Sequence, residues 1–259
     1  MAQAIERTGA SPLCALEDKP RASAETHLPF VGRREELENL TAALRNRCSR
    51  LVLGPPGIGK TRLLQEAIRL ADEPYILAPQ PTVLHSLLVI LARQIGCRIK
   101  GTQPLERLTS IRLKPLVLES LRSSPVCVLI EDVSHTDPRM YRFLQGLYYV
   151  PRACLIVTAT SRDNLGFLRK LLWDPREEIS LVPLGRSDAQ YLFDAAADAF
   201  DLRSLDLDEF RRKVLTAARG NPGQIVSMCR LARRPEYQSG RHIKFLPLRI
   251  DVLSSMVYE

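Results

Sequence analysis

Long apolar runs are missing from this 259-residue sequence. No window approaches the roughly 18 consecutive apolar residues that a membrane-spanning helix needs, so none is expected. Residues Met1 to Leu28 mix Glu6, Arg7, Glu17, Asp18 and Arg21 without a continuous apolar stretch, and a secretory signal is not expected. Cysteine is sparse and scattered. No two of Cys14, Cys48, Cys97, Cys127, Cys154 and Cys229 lie within four residues, so the paired spacing of a zinc site is absent. Cys127 and Cys154 sit inside apolar runs, where cysteine behaves as a small hydrophobe. Reduced thiols in a cytoplasmic protein are expected rather than a disulfide framework. His27, His85, His135 and His242 share no ligand spacing, and no serine is recognisable as a nucleophile, so a metalloenzyme or a hydrolase triad has no support. There is no internal repeat and no low-complexity tract. The single tryptophan, Trp173, stands among Phe167, Leu168, Leu171 and Leu172 and reads as packing rather than a binding platform.

What is present is ordinary globular material, 45% hydrophobic and 25% charged. Lysine and arginine outnumber aspartate and glutamate 37 to 29, a net +8 that suits nucleic acid or an acidic partner but by itself reports only solubility and non-specific attraction. Apolar runs at Leu51–Leu53, Pro74–Ala78, Val126–Ile130 and Ala153–Val157, with a weaker one at Glu178–Leu181, alternate with helical periodicity from residue 33 to about 182. The two central runs are continuous rather than alternating, as strands buried on both faces of a parallel sheet read. Helices are expected over 82–96 and 104–122, the latter kinked or broken near Pro115. Asp137-Pro138 supplies a cap and a first-turn proline for another helix. After Pro183 only helical stripes follow: Leu192, Phe193, Ala196 and Phe200; then Phe210, Val214, Leu215 and Ala218; then Ile225, Val226, Cys229 and Ala232. The expected organisation is a weakly ordered tail over 1–28, a three-layer αβα domain with a parallel sheet over 29–183, a small all-helical domain over 184–235 and a C-terminal extension over 236–259.

Gly54-Pro55-Pro56-Gly57-Ile58-Gly59-Lys60-Thr61 matches the phosphate-binding P-loop pattern at every fixed position. The glycines let backbone N–H groups cradle phosphates, Lys60 reaches the outer phosphates, and Thr61 offers a hydroxyl to Mg²⁺ at the positive end of the following helix. The competing reading is a glycine-rich turn that binds nothing, but the motif lies between an expected strand and an expected helix. Glu131 and Asp132 close the next buried run. Two carboxylates there cannot be core residues, and in α/β sheets ligands gather at the carboxyl ends of strands. One acid can hold the magnesium shell while the other orients an attacking water, against the plainer reading of an acidic loop. The segment Val157-Thr158-Ala159-Thr160-Ser161-Arg162 ends the following strand with hydroxyls and a guanidinium, suited to sensing a γ-phosphate or to a solvated strand end.

Pro29-Phe30-Val31-Gly32-Arg33-Arg34-Glu35-Glu36-Leu37, the P-loop, the acidic strand end and the Thr-Ser-Arg segment together resemble the AAA+ and STAND classes of P-loop ATPase. The resemblance runs over residues 29–235. It implies ATP and Mg²⁺ as cofactors, with Val31, Gly32 and Arg33 near the adenine and Gly54 through Lys60, Thr61 and Arg62 around the phosphates. Glu131 takes the Walker B place and joins Thr61 on the metal, Asp132 holds the attacking water, and Arg162 supplies charge stabilisation. Gly220-Asn221-Pro222 resembles a helical lid's Gly-x-Pro motif, whose proline, Pro222, approaches the base. Departures are present: Glu131 stands where aspartate is usual, His135 where many STAND relatives carry tryptophan, and no arginine fills the second-sensor place. The implied function is Mg-ATP binding with slow hydrolysis that switches conformation or assembly. The alternatives are a non-hydrolysing nucleotide staple and a DNA-associated oligomeric ATPase of replication, transposition or defence. Arg93, Arg98, Lys100, Arg107, Arg112, Lys114 and Arg122 against only Glu106 and Glu119 make 93–122 the segment for DNA contact, or else a solvated helix face. A chain of this length leaves no room for a large effector or repeat sensor, so a full-length signalling STAND protein is not expected, although a fragment of one is compatible.

Overall fold

The computed structural model describes residues 28–80, 83–96, 104–134 and 136–258, so the tail expected over 1–28 lies outside the described residues except for Leu28. Strands β1 (Arg50–Leu53), β2 (Tyr75–Pro79), β3 (Cys127–Glu131), β4 (Cys154–Ala159) and β5 (Glu178–Ser180) form one sheet in the order β2-β3-β4-β1-β5. All the pairings are parallel. Strands β1 to β4 each feed two cores because successive side chains leave opposite faces. Leu51, Leu53, Val128, Ile130, Leu155 and Val157 pack with α3 (Leu84–Ile95), α4 (Ser110–Ser123) and α5 (Pro138–Tyr148). Val52, Cys127, Leu129, Cys154 and Ile156 pack on the other side with α1 (Arg34–Arg45) and α2 (Lys60–Ala71). This is the three-layer αβα arrangement with a parallel sheet.

Beyond β5, α6 (Arg186–Ala199), α7 (Leu207–Ala218), α8 (Pro222–Ala232) and α9 (Phe245–Tyr258) share a third core built on Phe193, Phe210, Ile225 and Leu248. A two-stranded ribbon, β6 (Gln238–Ser239) and β7 (His242–Ile243), precedes α9. Leu28 is buried in this same core, so the chain enters the helical layer before it enters the sheet. Cys127, Cys154 and Cys229 are buried free thiols, and burial pushes Cys229 up to about 12, which keeps it protonated.

Two expectations change. The helix expected over 104–122 breaks earlier than Pro115: a 3₁₀ turn at Leu105–Arg107 ends, and α4 then runs unbroken through Pro115. The proline removes the N–H that would reach the Ile111 carbonyl, but Ile111 is 84% exposed, and water can satisfy it there. Trp173 does not pack. Leu165, Leu168, Leu171 and Leu172 fill the space beneath their segment and leave Trp173 68% exposed.

The start of α5 behaves as its sequence dictates. Asp137 Oδ1 accepts a hydrogen bond from the Met140 amide at 2.7 Å, and Pro138 occupies a position whose N–H would have no helical partner. Asp137→Ala should lower unfolding free energy by about 1 kcal/mol in urea titration, and Asp137→Asn should stay within a few tenths of wild type. Equal destabilisation by both variants would show that charge rather than capping holds the helix end.

Candidate nucleotide site

The carboxyl ends of β1, β4 and β3 meet at one edge of the sheet, because β4 lies between the other two. From Gly54 the chain turns through the glycine-rich loop into α2, whose N-cap Gly59 has φ +103° and no side-chain cap. A Cβ is strained at that φ, and the absent cap leaves the first-turn N–H groups available to an anion. Lys60 is only 7% exposed. Its Nζ donates to the Gly54 carbonyl at 2.9 Å and to that of Pro55 at 3.5 Å, and lies 3.4 Å from Asp132 Oδ1.

Asp132 is held from three directions. Its amide donates to Thr158 Oγ1 at 2.9 Å, the Val133 amide donates to the Thr158 carbonyl at 2.9 Å, and Gln80 Nε2 donates to Asp132 Oδ2 at 3.5 Å. Asp132 and Gln80 both adopt positive φ, +46° and +39°, at the ends of neighbouring strands. Strained non-glycine backbone of this kind persists where surrounding bonds over-determine it. Glu131, the last residue of β3, is half-buried, and its carbonyl accepts from the Gln80 amide at 3.1 Å. Thr61 is exposed in the first turn of α2.

A cavity of about 360 Å³ lies beside the loop, lined by Val31, Arg33, Gly57, Ile58, Gly59, Arg62 and Pro222 together with Leu184 and Arg230. The structure thus gathers the segments around 31–33, 57–62 and 222, which are far apart in the chain. Gly32 itself approaches Asp188, where a Cβ would lie 2.6 Å from Oδ2. Arg33 is 6% exposed, pairs with Glu36 at 3.1 Å and donates to the Val182 carbonyl. Arg62 Nη2 donates to the Leu28 carbonyl at 3.1 Å.

Arg162 is not gathered with the loop. Its Nε donates to Glu178 Oε2 at 2.5 Å and its Nη1 to the Leu172 carbonyl at 3.3 Å. Glu178 sits beside Leu51, three residues and roughly 10 Å before the Gly54 end of β1. In the basic segment Arg93 pairs with Glu106, Arg107, Arg112 and Arg122 are exposed, and Lys114 is half-buried. Arg98 and Lys100 lie outside the described residues.

The contacts that the motifs do not reveal come from α8. The Gly223 amide donates to the Gly57 carbonyl at 2.8 Å, and Asn221 Nδ2 donates to the Pro56 carbonyl at 2.9 Å. The helical layer is hydrogen-bonded directly to the phosphate loop. Asn221-Pro222 is visible in sequence as a helix start, but a contact between two backbones leaves no side-chain signature. Gln80 and Glu178 likewise carry no motif.

The residues present suit a magnesium nucleotide. Among the described residues no group of three or more His, Cys, Asp or Glu side chains can hold a metal alone. Magnesium characteristically takes one or two protein oxygens and completes its shell with phosphate and water, which fits Thr61 and Glu131.

A glycine-rich loop between a buried strand and a helix, with a buried lysine and an acid pair on the second strand away, defines a P-loop nucleotide-binding fold. Residues 29–148, just under half of the chain, match the family model described as an AAA ATPase domain. No curated protein matches. Among solved structures the chain is similar to the Aeropyrum pernix ORC1 protein in complex with DNA, at 17% identity and TM-score 0.63, covering 88% of this chain and 66% of that one. It is similar to the Walker-type ATPase of Pyrococcus abyssi at 17% identity and TM-score 0.59, over 93% of this chain and 76% of that one. A Pyrococcus horikoshii signal-transduction ATPase with numerous domains and a tetratricopeptide repeat sensor gives 18% identity and TM-score 0.51, over 92% of this chain and 34% of that one. The chain therefore spans just under two thirds of the ORC1 protein and about a third of the repeat-sensor protein, and at these identities the likeness is one of fold.

The α8 contact generates a test. A Cβ on Gly223 would lie 2.7 Å from the Gly57 carbonyl oxygen and 2.8 Å from Gly57 Cα, both backbone atoms that cannot swing aside. Gly223→Ala should push α8 off the loop and weaken ATP binding by roughly ten-fold, the effect of losing about one hydrogen bond's worth of closure. Wild-type affinity in a titration of the folded variant would show that the contact plays no part in holding nucleotide.

Proposed function

We propose that the chain binds Mg-ATP, hydrolyses it slowly, and uses the nucleotide to set the angle between a sheet unit over 29–183 and a helical lid over 184–235, into whose core α9 also packs. The observation that carries this reading is the pair of hydrogen bonds from Gly223 and Asn221 of α8 to the P-loop carbonyls of Gly57 and Pro56. Any change in the loop's backbone on loading or losing a γ-phosphate acts on those bonds, so the lid and the loop move as partners. Magnesium, when bound, neutralises charge on the phosphates. Lys60 exchanges its carbonyl and Asp132 partners for phosphate oxygens, Thr61 and Glu131 hold the metal side, and Asp132, already oriented by Thr158, aligns a water. Arg162 reaches the phosphates only after leaving Glu178.

The experiment is ATP titration together with steady-state turnover. Lys60→Ala should abolish high-affinity ATP binding in a folded protein. Asp132→Asn should keep ATP bound and cut turnover by about 100-fold or more, since general-base assistance contributes typically 10²–10⁴. Unchanged affinity in the first variant sinks the reading; zero wild-type turnover with tight ATP binding favours the non-hydrolysing staple.

A second reading adds duplex DNA along 93–122 and an ATP-dependent homo-oligomer. It is favoured by the exposed Arg107, Arg112 and Arg122, and by the likeness to the ORC1 protein solved with DNA. Replacing Arg107, Arg112 and Lys114 with alanine should flatten the salt dependence of duplex binding by about one unit for each phosphate no longer neutralised. No duplex affinity at low salt, with or without ATP, would make these cations a solvated surface.

A further inference from the structure

Among the described residues four aromatic side chains stand well exposed, and three of them lie on the C-cap of α5 (Tyr149, 70%) and on the segment 163–177 that contacts α5 (Phe167, 41%; Trp173, 68%). Together they form a strip in which the segment packs beside α5 on the same face of the sheet. At one end the Tyr141 and Phe167 rings lie 6.2 Å apart, and at the other the Tyr148 hydroxyl donates to Glu177 Oε1 at 3.1 Å. Tyr141 and Tyr148 are separated by about 10 Å of helix, and Lys170 and Trp173 lie in the chain between the residues that meet them. The buried leucines of the segment already satisfy its apolar demand, so the exposed rings are not failed packing.

Cations interleave with these rings. Arg139, Arg142, Arg169 and Lys170 are exposed, and Lys170 Nζ stands 5.6 Å from the Phe167 ring centroid. None of the four makes an ion pair among the described residues. Of the strip's acids Asp174 is neutralised by Arg176 at 2.8 Å, while Asp137, which caps α5, Glu177, which accepts from Tyr148, and Asp163 keep their charge and leave the four cations in excess by one.

Flat exposed rings among unpaired cations match a polyanion whose repeating units also offer π faces. We propose that this strip is a docking surface for single-stranded nucleic acid, with Trp173, Phe167 and Tyr149 stacking on bases and Arg139, Arg142, Arg169 and Lys170 meeting phosphates. A duplex hides its base faces and leaves the rings without partners. A second copy docked strip to strip sets four cations against four cations with only Asp137, Asp163 and Glu177 to offset them, a net like-charge contact. The proposal is independent of the ATP reading and uses residues outside the 93–122 segment.

Trp173 is the chain's only tryptophan, so intrinsic fluorescence reports the strip directly. Titrating the full chain at low salt with oligothymidylate about 20 nucleotides long should quench that fluorescence to saturation, and added salt should reverse it. By anisotropy of labelled oligothymidylate, Trp173→Ala should bind roughly ten-fold more weakly, as expected for one lost stack. The double variant Arg169→Ala/Lys170→Ala should reduce the salt slope by about 0.7 for each phosphate no longer neutralised. ATP affinity should be unchanged in both. Absence of quenching and anisotropy change at low salt overturns the proposal, as does wild-type affinity in the Trp173 variant. Equal competition by duplex of the same length overturns the single-strand assignment. Quenching that tracks protein concentration alone, with a doubled mass by light scattering, assigns the strip to self-association instead.

Discussion

A buried ammonium group organises the site. Lys60 is nearly excluded from water, and a buried charge costs several kcal/mol unless oxygen partners surround it. Two of those partners are carbonyls of the loop that precedes it, and they bend the chain back over the head of α2. The third is Asp132, two strands away, and it arrives only because β4 sits between β1 and β3. Thr158 of β4 then fixes the backbone at Asp132 with both its hydroxyl and its carbonyl. The order of strands, the left-handed backbone at Asp132 and the turn of the loop together bring oxygen atoms to that one charge. A phosphate entering here exchanges oxygen for oxygen, which spares the lysine a second desolvation.

The sheet was legible because its strands are continuous apolar runs and its P-loop is long and specific. Val128 to Ile130 and Leu155 to Val157 read as doubly buried, and each alternates between two cores in the structure. The start of α5 was legible from Asp137-Pro138 alone. Pro115 misled because its effect depends on where the orphaned carbonyl points, and the Ile111 carbonyl faces water. Trp173 misled because its neighbours are apolar; the buried leucines around it show that local composition does not say which member of a cluster is left outside. In the site, residues within motifs were legible as types. What could not be read were partners set by tertiary approach: Gln80 to Asp132, Glu178 to Arg162, and Gly223 to Gly57.

The helical layer is stitched to the sheet layer at points clustered around the cavity. Arg62 reaches the Leu28 carbonyl and α8 reaches the loop itself, while Arg33 ties the start of α1 to the Val182 carbonyl where the chain leaves the sheet. Within the layer the Leu184 amide donates to the Gly220 carbonyl at 2.8 Å, which ties the entry of the helical layer to the start of α8. Gly57 is thus linked through Gly223 at the start of α8 to Gly220 and Leu184, and the helical core around Phe193 and Phe210 is one packed body. The N-termini of α2 and α8 both converge on the loop, so the positive ends of two helices face the place where an anion is expected.

The remaining groups differ in how freely they can respond. Lys60, Thr158 and the Asp132 backbone are held by burial or by strained geometry, and moving any of them leaves a polar group unpaired in a dry setting. Arg162 is different. Its pair with Glu178 lies between side chains 36% and 22% exposed, and a partly solvated ion pair contributes about 0–1 kcal/mol. Breaking that pair costs the fold little. It would free Glu178, whose other oxygen already accepts from Ser180 at 2.6 Å on the edge strand. The division follows from burial: Lys60, Thr158 and the Asp132 backbone are rigidly held, and Arg162 is the weakly held group.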